Sequence, residues 1–96
     1  MREHNVTIAV IDETGLTLDE FSRACAVERE WVVARVQEGL LPSLGGAPQA
    51  WRFDSLALRR AREMRRLERD FDAVPELAAL VVDLIEELES LRARLR

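Results

Sequence analysis

The sequence predicts a mainly α fold, a winged helix-turn-helix with a short β element and a long C-terminal dimerisation helix. Three observations carry this. Two short helical patterns are separated by about three residues near the start. A Gly/Pro loop closes on Trp51-Arg52-Phe53-Asp54. The last twenty residues keep a leucine every three or four positions.

The elements follow in order. Residues 5–11, "NVTIAVI", alternate β-branched and polar side chains and end in a turn-forming cluster, which predicts one short strand. A helix over 17–24 starts at Thr17 as N-cap, with Glu20 three places on completing a capping box, and aligns Leu18, Phe21 and the Ala24/Cys25 pair. After the link "CAV", residues 28–38 form a second helix ended by Gly39, a left-handed C-cap, with Pro42 just beyond. Two short helices so joined make a helix-turn-helix.

Gly45-Gly46 and Pro48 turn the loop 42–50, and Trp51 and Phe53 alternate around Arg52 as in a short strand with one apolar face. Asp54 or Ser55 caps a helix over 56–69 whose apolar side is Leu58, Ala61, Met64 and Leu67, with Phe71 and Val74 in the break that follows. From Pro75, tolerated in a first turn, the chain is helical to its end. There Leu77, Val81, Leu84, Leu88, Leu91 and Leu95 are spaced 4, 3, 4, 3, 4, an a/d seam that predicts a homodimer. Leu80, Val82 and Ile85 widen the stripe in the N-terminal half, which assigns that half to the domain and the rest to a second copy. The organisation is therefore one domain: residues 1–74 as the winged part, 75–96 as the dimerisation helix.

A chain of 96 residues makes a single domain that buries only roughly 60–65% of its unfolded surface, so support from a second copy is natural. The formal charge is −4, and all fourteen basic residues are arginine. Residues 1–51 hold four Arg against eight acids, and 52–96 hold ten against ten. Within the second half, 52–69 carries seven Arg and 70–89 carries seven acids without a base, blocks that favour antiparallel pairing or a solvated surface. One cysteine excludes an internal disulfide, and the chain has no long apolar run, so the expectation is a cytoplasmic protein with no membrane partner.

No chemistry emerges from the residues. His4 has no Cys or His at ligand spacing, Cys25 sits between alanines as a small core residue, and no Gly-rich loop links a strand to a helix. The expectation is no catalytic residue, no metal, no cofactor and no enzyme. What remains is recognition.

The order helix, "AV" turn, helix, "GLLP", loop, aromatic-x-aromatic-acid, helix and terminal helix resembles the MerR-like helix-turn-helix superfamily, which implies DNA binding. DNA-reading members usually present an Arg-Tyr pair on the second helix, where this chain has Val33 and Ala34, and close the wing on Arg-x-Tyr, where it has Trp51-Arg52-Phe53. An acidic half is repelled by phosphate, so nucleic acid is an unlikely partner. "LPSLGGAPQAWRFDS", "ALRRAREMRRLERDFD" and "LVVDLIEELESLRARLR" resemble the chaperone modulatory proteins of the CbpM type. That resemblance implies binding to the J-domain of a DnaJ- or CbpA-like co-chaperone and inhibition of its meeting with the DnaK-class chaperone. J-domains present a basic helix, which an acidic surface complements. The partner-binding candidates are Ile8, Val10, Asp12, Glu13, Asp19 and Glu20. A DNA-binding transcriptional regulator and a purely structural dimerisation module are the rival readings.

Overall fold

The computed structural model describes residues 15–95. The predicted strand 5–11 and His4 lie outside the described residues. Four α-helices follow one another: α1 (Leu18–Cys25), α2 (Arg29–Gln37), α3 (Ser55–Phe71) and α4 (Pro75–Arg94). The backbone forms two compact units, Met1–Arg62 and Glu63–Arg96.

In the first unit α1 begins as its sequence dictates. The Thr17 side-chain oxygen accepts from Glu20 N–H at 3.2 Å, and the Glu20 carboxylate accepts from Thr17 N–H at 2.9 Å. Two orphan donors of the first turn are thereby satisfied, a feature whose loss typically costs ~1 kcal/mol. The helix buries Leu18, Phe21, Ser22 and Cys25. Ser22 is the one polar member of that face, and its hydroxyl donates to the Leu18 carbonyl at 2.8 Å, which makes its burial tolerable.

The turn after α1 has the three-residue length expected of it, shifted by one position. Ala26 takes a left-handed conformation, φ 58°, while Val27 N–H reaches back to the Ser22 carbonyl at 3.1 Å. That closure leaves Ala26, Val27 and Glu28 as the whole link to α2. A Cβ at such a φ is strained by ~1–2 kcal/mol, a cost the cap's hydrogen bonds offset. Helix α2 ends with Gly39 at φ 78°, as predicted, and Leu40 N–H bonds the Arg35 carbonyl at 2.9 Å.

The loop that follows contains no strand, and neither does the rest of the described chain; the short strand expected around Trp51–Phe53 is reduced to two isolated antiparallel bridges. Arg52 exchanges both backbone hydrogen bonds with Leu44, at 2.8 and 2.9 Å, and Phe53 does the same with Leu16, at 2.8 and 2.9 Å. Successive residues of an extended segment turn their backbone groups to opposite edges. Residues 52 and 53 therefore each meet a different neighbour. A one-residue ladder on either side is too short to be a strand: the 3₁₀ turn Pro48–Ala50 stops the ladder with Leu44, and helices beginning at Leu18 and Ser55 stop the one with Leu16. Gly45 makes the reversal possible: its φ is 106°, and a Cβ there would run into the Ala50 carbonyl.

Trp51 and Phe53 point inward, as their alternation implies. The Phe53 ring stacks on Phe21 with centroids 4.1 Å apart and meets Trp51 edge-on at 6.2 Å. Around this aromatic group lie Leu18, Val32, Leu41, Leu58 and Ala61. Asp54, not Ser55, caps α3, its carboxylate accepting from Ala57 N–H at 2.8 Å. The buried stripe of α3 is the predicted one, Leu58, Ala61, Met64 and Leu67, joined by Ala57.

Two arginines of the basic block have a structural task that no sequence pattern announces. Arg60 donates to the Leu40 carbonyl at 2.9 Å, and Arg62 donates to the Ala24 carbonyl at 2.9 and 3.3 Å. They place cations beside carbonyls at or just past the C-terminal ends of α2 and α1, where the helix dipole favours positive charge.

In the second unit, Asp72 at φ 54° breaks the chain after α3, and Pro75 occupies the first turn of α4, where its missing N–H is no loss. Ala78, Ala79 and Val82 are buried. Leu80, assigned to the domain-facing stripe, is instead 52% exposed. At about 3.6 residues per turn it falls on the leucine seam, roughly opposite Ala78 and Val82.

Candidate functional site

The first unit presents α1 and α2 side by side, with the acids gathered at their surface. Asp19 and Glu20 both lie in the first turn of α1, where negative charge suits the helix N-terminus. Glu20 is engaged in the capping box, and Asp19 pairs with Arg29 of α2 at 2.9 Å. Of the six partner-binding candidates, these two are brought together and remain exposed. Ile8, Val10, Asp12 and Glu13 lie outside the described residues.

On α2 only Val32 is fully buried. Trp31, Val33 and Val36 pack partly against the core from other sides of the helix. The Arg35 guanidinium sits over the Trp31 ring, 4.8 Å from its centroid, and approaches the Glu38 carboxylate at 3.6 Å. Arg29 and Arg35, the two cations of this helix, are thus both matched with carboxylates. Outward, Arg29, Glu30, Val33, Ala34 and Gln37 line an open hollow of about 380 Å³. Sequence reasoning singled out Val33 and Ala34 only as departures from a DNA-reading pair, not as the floor of a hollow. The signal was present in "REWVVARVQ", whose five apolar residues occupy every side of a helix and cannot all reach one core.

Cys25 lies on the opposite, buried side of the pair. Burial pushes its thiol up from 9.0 to about 12, against a smaller lowering by Arg62, so it stays neutral and shielded through the physiological range. Among the described residues no three of His, Cys, Asp and Glu gather where a metal ion could be held. No helix among them is long and apolar enough to cross a membrane.

In the second unit the six seam positions do not share one environment. Val81 is half-buried, whereas Leu77, Leu84, Leu88, Leu91 and Leu95 are 50%, 60%, 48%, 43% and 88% exposed. A helix with a small buried side and a leucine stripe roughly opposite has two apolar faces.

Two short helices joined by a tight turn, a looped closure onto an aromatic pair and two longer helices define a helix-turn-helix protein, whose residues 15–40 carry five acids against three arginines. Residues 16–96 match the family model described as MerR HTH family regulatory protein. The chaperone modulatory protein CbpM of Coxiella burnetii is 33% identical over 89 residues, covering 93% of this chain and 84% of that protein. The proteins of the same name from Pseudomonas entomophila and Pseudomonas putida are each 30% identical over 67 residues, covering 70% of this chain and 66% of theirs. No solved structure gives a significant match. The chain belongs to the MerR helix-turn-helix family and, within it, to the CbpM chaperone modulatory proteins. That kinship supports a chaperone-modulating role.

Proposed function

We propose that this protein binds the J-domain of a DnaJ- or CbpA-like co-chaperone and keeps it from the DnaK-class chaperone, by occlusion and without catalysis. The observation that carries the reading is the charge state of α2. A helix that reads DNA needs unengaged cations facing phosphate, because neutralised phosphates supply most of the affinity. Here Arg29 is paired with Asp19 and Arg35 with Glu38 and Trp31, while Glu28 and Glu30 are exposed beside them. Such a surface attracts a basic protein helix and repels a duplex. The acidic and apolar surface proposed for the partner comprises Ile8, Val10, Asp12, Glu13, Asp19 and Glu20.

The two backbone bridges serve as a reduced wing in this reading, with residues 1–74 as the binding part and 75–96 as the dimerisation helix. A second copy is the proposed occupant of the leucine stripe on α4. Glu76, Asp83, Glu86, Glu87 and Glu89 precede Arg92 and Arg94 along that helix, so an antiparallel mate sets the arginines of each copy beside acids of the other. The protein acts in the cytoplasm, where its co-chaperone works.

The test is to mix the protein at low salt with a purified J-domain and, separately, with duplex DNA. Binding of the J-domain with no shift of the DNA is expected. A DNA shift that weakens steeply with salt would replace this reading with that of a transcriptional regulator.

A further inference from the structure

Resting on the J-domain reading, we infer that the partner's docking surface extends from Asp19 on α1 onto the outward face of α2, and that this face receives a cationic helix of that partner. Arg29, Glu30, Val33, Ala34 and Gln37 follow the i, i+1, i+4, i+5, i+8 rhythm of one helical face. On a short surface helix the middle of such a face is normally charged or amide-bearing. Here Val33, which also packs partly against the core, and Ala34 stand there, so an apolar floor lies between polar rims.

The hollow, about 380 Å³, is near the low end of ligand-pocket volumes, and it is open. An open apolar floor of that size suits one or two side chains projecting from a partner helix, the helix-in-groove mode of recognition. The charges around it choose among partners. Glu30 lines the hollow and Glu28 is exposed one residue before α2, while Arg29, the cation of the rim, is held by Asp19 at 2.9 Å. A carboxylate on the rim, Glu30, beside an apolar floor calls for a Lys or Arg beside an apolar residue on the incoming helix.

Two variants of the full chain and one mapping measurement test this. Glu30→Arg reverses an exposed charge and is expected to weaken J-domain binding about tenfold at low salt, an effect that shrinks as salt is raised. Ala34→Arg fills the floor and is expected to weaken it by roughly ten- to a hundredfold, with circular dichroism checking that the helices persist. In the unaltered protein, backbone amide resonances of residues 29–37 should shift on adding the J-domain. If the unaltered protein binds but both variants bind equally well and these amides stay put, the docking face is wrong while the J-domain reading stands. If the variants change the mass of the protein alone and leave J-domain binding untouched, the face joins copies of this chain and the inference is overturned. If the unaltered protein does not bind a J-domain, the reading and the inference fall together.

Discussion

Phe53→Ala is expected to destabilise the protein by ~3–5 kcal/mol, the range for a large aromatic removed from a closed core. The residue has no exposed surface, its ring stacks on Phe21 at 4.1 Å and touches Trp51 at its edge, and its backbone is tied on both groups to Leu16. Truncation would leave a void that none of these neighbours can fill without leaving its own contacts. A domain of this size has a total stability on the order of 5–15 kcal/mol, so the variant loses roughly a fifth of it or more. Urea unfolding followed by circular dichroism measures the loss. Leu56→Ala is the control: Leu56 lies three residues on, in the first turn of α3, but is 68% exposed, and a change within about 0.5 kcal/mol is expected there. Equal effects from the two substitutions would mean that the aromatic group is not the centre of the first unit.

Leu88→Asp is expected to halve the mass measured by light scattering. Leu88 is 48% exposed on the chain by itself and lies mid-way along the leucine stripe, so its replacement removes little from the folded chain. Across an antiparallel seam it places a carboxylate from each copy in an apolar contact already crowded with Glu86, Glu87 and Glu89. Unpaired charge buried in such a contact is strongly unfavourable. Val82→Asp, on the buried side of α4 at 2% exposure, should instead lower stability, which separates the two faces. An unaltered chain of monomeric mass would mean that the stripe does not hold two copies together.

How much of this was legible in the sequence depends on the range of the interaction concerned. The Thr17/Glu20 capping box, the Gly39 cap, Pro75 at a helix start and the Leu58-Ala61-Met64-Leu67 stripe are local, set by residues within four places of each other, and the structure has them as predicted. The inward alternation of Trp51 and Phe53 was legible too, but not its hydrogen bonding, because whether an extended triplet becomes a strand depends on partners 8 to 37 residues away. Arg60 and Arg62 read as part of a charged block; that they would bind carbonyls 20 and 38 residues back is a fact of tertiary packing.

The site was legible in character more than in place. Acid concentrated in the first half was plain in the composition, and its meaning sharpened once Arg29 and Arg35 were seen paired. Glu20 was legible as part of the cap, which is local, whereas Asp19 was visible as an acid but not as half of an ion pair, since that needs the turn at Ala26 that brings α2 beside α1. Leu80 went astray because a widened stripe has two edges, and periodicity alone does not say which edge is covered.

The most direct test of the central claim is the ATPase rate of a DnaK-class chaperone, measured with its J-protein and increasing amounts of this chain. The J-stimulated part of the rate should fall to the unstimulated level, while the rate without J-protein stays unchanged. A stimulated rate that persists at saturating amounts of the chain would contradict the account.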